Sequence, residues 1–296
     1  MIWGIMAIGV YFTYKVLDIA DLTVDGSMVT GMAICTVMVA QMELPMWLGL
    51  LCAVAVGMAC GLVTGIFHTL FGIPAILAGI LTQLMLWSVN LKIMGNTSNI
   101  SYPFGEKYFL SSEKADIAWT ILWLEAIVIV LVCLLYWFFG TKLGSAVRAT
   151  GCNIKMSRAQ GINTDAIKVL GLVISNGVVG FSGGLLSVFL GFSDANAGRG
   201  AIVIGLAAVI IGEALFSRIT RYNFALRLLA VVAGGIIYYM VYQTIIYLRL
   251  DATYLKMFSA LMVALFLAVP FWKTKYAKKL KKYIDKLNIF KKKEVA

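Results

Sequence analysis

Residues 141–165 read TKLGSAVRATGCNIKMSRAQGINTD, a short polar stretch between two long apolar runs. Lys142, Arg148, Lys155 and Arg158 stand in it against one acid, Asp165. Short loops rich in Lys and Arg between membrane spans stay on the cytoplasmic side. The stretch therefore gives the runs on either side a direction. Its glycine-interrupted, amphipathic pattern is that of a surface against which something docks.

Composition makes the apolar runs a membrane problem. The chain has 296 residues, 61% of them hydrophobic and only 13% charged, where a soluble domain carries about 25% charge. Such a chain needs lipid as its solvent, and its length suits one polytopic domain. The net charge of +11 is not a nucleic-acid footprint. From Lys273 onward ten lysines stand against Asp285 and Glu294, so +8 of the +11 lies in the last 24 residues. A lysine cluster after an apolar run keeps that end inside and draws anionic lipid. The five cysteines lack C-x-x-C spacing, which argues against a disulfide framework or zinc site. Residues 2–17 lack the basic start and small-residue cleavage pattern of a signal peptide and read as a retained span.

A helical span needs about 20 mostly apolar residues. Candidates are 2–17, 27–41, 46–67, 73–91, 119–139, 166–190, 201–216, 224–247 and 254–271. The expected fold is thus all-α, with about nine transmembrane helices and a range of eight to ten. The first, second and seventh candidates are short enough to be tilted, broken or re-entrant. With 141–165 and the tail 273–296 inside, the N-terminus falls outside and the C-terminus in the cytoplasm. Residues 1–272 then form one transmembrane domain, with 92–118 as an outer loop rich in turn residues that could dock an external partner. Gly57, Gly61 and Gly65 repeat every four residues and line one helix face, the pattern of close helix packing in lipid.

Chemistry is sparse. No G-x-x-x-x-G-K-[ST], H-E-x-x-H or G-x-S-x-G motif occurs, and His68 is the single histidine. Glu125 and Glu213 sit near span ends, where a structural role outweighs a proton relay. Asp18, Asp21 and Asp25 form an acidic turn in the first inner connection, suited to capping or to the inner end of a pathway. Polar side chains within spans need partners in the bundle or a wet cavity. Gln83, Asn90, Asn176 and Ser182 are the candidates to line a substrate pathway; interhelical hydrogen bonding is the competing role.

Gly144, Arg148, Ala149 and Gly151 form a G-x-x-x-R-A-x-G pattern, and Ala159, Gly161, Ile162 and Asn163 form A-x-G-I-N. Together they resemble the cytoplasmic coupling segment of ABC-importer permeases of the branched-chain amino acid and ribose class. LDIADLTVDGS at 17–27 stands where many relatives have N-F-A-x-G. With IPAILAGILT at 73–82 and GLAAVIIGEALF at 205–216, it resembles a sub-branch described as uncharacterised or as aromatic amino acid permeases. The resemblance covers residues 3–271.

It implies a permease subunit, not an enzyme, that moves a small solute such as an amino acid across the cell membrane. ATP and Mg would be bound by a separate cytoplasmic ABC ATPase docked on Leu143, Gly144, Val147, Arg148, Ala149, Gly151, Ala159, Gly161, Ile162 and Asn163. An extracytoplasmic solute-binding protein would deliver the substrate, and a second permease chain would complete a homodimer in membrane lipid. No cofactor is expected in this chain and no nucleic acid among its partners. The alternative is a secondary transporter that needs no ATPase. It predicts ion-binding carboxylates inside the spans, where this chain has few.

Overall fold

Helix Thr164–Leu190 (α8) explains most of the packing. Gly171, Ser175, Gly177, Gly180, Ser182, Gly183, Gly184 and Ser187 lie on all its sides, and all are buried. Between helices in lipid there is little hydrophobic force, so association rests on close van der Waals contact and interhelical hydrogen bonds. A helix with small residues all round accepts neighbours on every side. The computed structural model describes residues 1–103, 117–216 and 223–247, plus a few helical residues between 257 and 268. They fall into two units, Met1–Tyr239 and Met240–Ala296.

Three helices close on α8. Helix Ile2–Tyr11 (α1), continued by a π-helical turn at Phe12–Val16, runs antiparallel to it. Ser182 Oγ donates to the Ile2 carbonyl at 2.9 Å and Ser175 Oγ to that of Gly9 at 2.7 Å. Helix Val24–Ala40 (α2) lays Gly31 on the backbone of Gly180, and Gly183 meets the Met28 carbonyl. Helix Met46–Thr69 (α3) turns Gly57, Gly61 and Gly65 toward Asn176, Leu172 and Val169. A Cβ on Gly61 would overlap the Leu172 carbonyl oxygen, so only glycine permits this approach.

The remaining helices are Ala75–Ile93 (α4), Ile117–Gly140 (α5), Ala201–Phe216 (α9) and Phe224–Tyr247 (α10). In α5, Thr120, Leu124, Val128, Val132, Leu135 and Phe139 face inward. Trp119, Trp123, Tyr136 and Trp137 remain exposed toward its two ends, where indole and phenol rings suit a membrane interface. Helix α9 follows α1, with Gly205 against Met6 and Val10 and with Glu213 paired to Lys15 at 3.0 Å.

Two features add to the long helices, and the first departs from the all-α expectation. Strand Asn99–Ser101 (β1) pairs antiparallel with Phe192–Asp194 (β2), in register Asn99 to Asp194. The ribbon satisfies backbone where the chain leaves α8. Tyr102 pins it, its hydroxyl 3.1 Å from Ser187 Oγ and its burial holding the phenol above its usual pKa. The second feature is the polar stretch 141–165, which is not a loop but two short helices, Lys142–Cys152 (α6) and Ile154–Ala159 (α7).

Helices α3, α4, α5, α8 and α10 are long and apolar enough to cross a membrane. The α1 segment, α2 and α9 are shorter apolar helices. Their shortness has a cause in α2 and α9: both begin level with the middle of α8. Ser27 Oγ, in the first turn of α2, donates to Asn176 Oδ1 at 2.7 Å. The start of α9 reaches back to α2, where Gly200 N–H and Ile202 N–H donate to Asp25. Most of the expected span 254–271, residues 104–116 of the expected outer loop and the tail 273–296 lie outside the described residues.

Candidate functional site

The segment 141–165 is built by helix caps. Thr141 takes the N–H of Gly144 at 3.2 Å and starts α6. Asn153 ends α6 and starts α7, accepting from Met156 N–H at 3.1 Å. Gly161 ends α7 at φ 79, a left-handed conformation that glycine adopts without penalty. Gly161 N–H donates to Arg158 O and Ile162 N–H to Ser157 O, the paired bonds of a Schellman turn. Asn163 then caps α8, accepting from Ala166 N–H at 3.2 Å. The A-x-G-I-N pattern is thus a stop and a start: one helix ends and the next begins in three residues.

Burial divides the coupling residues. Val147 is fully buried with Phe12, Leu17, Phe139 and Ile167, so it seats α6 on its own chain and cannot itself touch a partner. Gly144 and Gly151 also face inward: Cβ atoms there would collide with the carbonyls of Phe138 and Val16. Arg148 is exposed, and one guanidinium nitrogen donates to Phe139 O at 3.1 Å, holding α6 to the last turn of α5. Leu143, Ala159, Gly161 and Asn163 are exposed; Ala149 and Ile162 are half-buried. Ile154 and Met156, which the sequence patterns do not single out, are exposed apolar side chains on α7, as Leu143 is on α6. Arg158 ties α7 to α8 through Thr164 Oγ1 at 2.8 Å and both Asp165 oxygens, at 3.0 and 3.1 Å.

The four pathway candidates separate. Gln83 and Asn90 line a cavity of about 290 Å³ with Asp25, Trp87, Ala195 and Arg199. Asn176 and Ser182 do not. Ser182 holds α1, and Asn176 is a fully engaged hub within helix interfaces. Its amide donates to Asp21 Oδ2 at 2.6 Å and to Leu172 O, and its carbonyl accepts from Ser27. The three aspartates of the acidic turn also separate, and capping is the role of one of them. Asp21 is buried with its other oxygen on Thr23 N–H at 2.9 Å, Asp25 caps α9, and only Asp18 is exposed. Of the two span-end glutamates, Glu213 has its Lys15 partner, and Glu125 is exposed on α5.

Trp87 and Arg199 are additions that sequence reasoning missed. The Arg199 guanidinium carbon lies 4.6 Å from the centre of the Trp87 ring. A signal existed for Trp87, because positions 83, 87 and 90 fall on one helix face. Nothing in the sequence carries Arg199 from the turn after β2 to that face.

Comparisons with known proteins show the family. The family described as the branched-chain amino acid transport system permease component matches residues 1–270. A tyrosine transport system permease protein of Clostridioides difficile (strain R20291) is 39% identical over 100% of this chain and 96% of its own. An uncharacterised protein of Rickettsia prowazekii (strain Madrid E) is 31% identical over 85% of this chain and 88% of its own. The autoinducer 2 import system permease protein LsrC of Yersinia pseudotuberculosis (strain IP 31758) is 27% identical over 54% of this chain and 45% of its own. No solved structure matches. The chain belongs to the branched-chain amino acid permease family and is a multi-pass membrane permease component of an ABC-type transport system.

Proposed function

We propose that this chain is the membrane path of an ATP-driven importer for an amino acid, with an aromatic one such as tyrosine the first candidate. The observation that carries the reading is the α6–α7 pair. It offers Leu143, Ile154 and Met156 outward while Val147, Gly144 and Gly151 bind it to α1, α5 and α8. A push on such a pair moves the helices behind it, because packed interfaces shift between discrete arrangements rather than deform smoothly. A separate cytoplasmic ATPase supplies that push and holds ATP and Mg. A binding protein on the other face delivers the solute, and a second copy of this chain forms the other half of the path. The substrate class is drawn from the relative whose name specifies tyrosine. In vesicles containing the permease, its ATPase and its binding protein, we expect uptake of labelled L-tyrosine only when ATP and the ATPase are both present. Uptake that persists without the ATPase would overturn the reading in favour of an ion-coupled carrier, for which the buried carboxylate of Asp21 would be the place to look.

A further inference from the structure

The cavity between α2, α4 and the turn before α9 carries two features that packing does not account for, beside a carboxylate that already caps a helix. Asn90 is 2% exposed, and its Oδ1 has no hydrogen-bond partner. Its amide nitrogen points at Gly26 O at 3.5 Å, which sets the orientation, since the flipped amide would place two oxygens together. A bare acceptor in a buried wall is unfavourable until something donates to it. Arg199 has no carboxylate partner among the described residues. With its guanidinium carbon 4.6 Å from the centre of the Trp87 ring, Arg199 brings to the cavity a planar fork of N–H donors that fits a carboxylate. Asp25 faces the same cavity with its carboxylate fixed by two backbone N–H groups of the α9 start, at 3.0 and 2.8 Å.

We propose that this cavity is a binding site for an α-amino acid zwitterion. Arg199 takes the carboxylate, a small turn of the Asn90 side chain brings Oδ1 out to accept from the ammonium group, and Asp25 adds negative charge to the same cavity. Leu84, Trp87 and Val29 leave an apolar wall for the side chain. The volume of about 290 Å³ falls just below the usual range of ligand pockets, roughly 300 to 1,000 Å³, and so suits one amino acid rather than a peptide. The assignment rests on the importer reading and deepens it, by naming where the membrane path recognises the solute.

The test is equilibrium binding of tritiated L-tyrosine to the permease–ATPase complex in lipid nanodiscs, without binding protein. Competitors are tyramine, which lacks the carboxylate, and 3-(4-hydroxyphenyl)propionate, which lacks the ammonium group. The unmodified complex should bind both competitors about tenfold or more weakly than tyrosine, the scale of one charge-assisted hydrogen bond. Arg199→Gln should weaken tyrosine by a similar factor and leave tyramine unchanged. Asn90→Leu should weaken tyrosine and leave the propionate unchanged, while Asn90→Asp, which keeps the acceptor, should retain binding. Equal competition by all three ligands in the unmodified complex would overturn the site even if the variants fail to fold. ATP-driven tyrosine uptake with binding unaltered in both Arg199→Gln and Asn90→Leu would overturn the site and leave the importer reading intact. Absence of ATP-driven uptake of any amino acid would overturn the importer reading itself.

Discussion

At Gly161 and Asn163 a short motif resolves into backbone chemistry. The resemblance identifies both positions but does not say what they do. Gly161 occupies a left-handed conformation that disfavours any Cβ, and Asn163 supplies the oxygen that the first turn of α8 lacks. We expect Gly161→Ala and Asn163→Ala each to destabilise the protein by about 1 kcal/mol, and Asn163→Asp to be nearly neutral. Thermal melting of the detergent-solubilised protein reads the difference. If Asn163→Ala melts as the parent does yet loses ATPase binding, its side chain contacts the partner and the cap is secondary. This level of detail was legible in principle, because glycine followed two residues later by asparagine is a stop–start signal. Val147 was not legible. Its apolar side chain looks suited to docking, but Phe12, Leu17, Phe139 and Ile167 come from three separate stretches of chain to cover it.

Single elements divide the same way. Hydropathy marks where α3, α4, α5, α8 and α10 run, because the cost of exposing polar groups to lipid is written into each stretch locally. It does not reveal that α2 and α9 begin halfway along α8. The cap of α9 comes from Asp25, which is 175 residues from Gly200 and 177 from Ile202. A partner so distant leaves no local pattern. Helix α6 makes its own prediction, since it has a seated face and an open face. Val147→Ala should lower stability by about 2 kcal/mol, through lost burial at the membrane margin, and so broaden or lower the melt. Leu143→Ala, at a side chain 54% exposed, should leave the melt unchanged and weaken ATPase retention in pull-down. Equal ATPase retention by the parent and Leu143→Ala would move the docking surface off this face.

For the whole molecule the open question is direction, and the native cysteines offer a reporter. Cys35 and Cys60 are buried and Cys52 is half-buried. Cys133 is exposed, but it lies within the apolar length of α5, where an impermeant reagent meets lipid rather than water. Cys152 is exposed at the end of α6, beside Lys155 and Arg158. If Lys142, Arg148, Lys155 and Arg158 hold this end in the cytoplasm, a membrane-impermeant maleimide should label inside-out vesicles strongly and intact cells hardly at all. Cys152→Ser should remove most of that label, because no other described cysteine meets water. The reverse pattern, with Cys152-dependent label on intact cells, would place α6 and α7 on the outer face. The basic residues would then have to be explained without the membrane, and no cytoplasmic ATPase could reach Leu143. Binding the ATPase to the outer surface of inside-out vesicles sharpens the result: a docked partner on the open face of α6 should slow labelling of Cys152, one turn beyond Arg148.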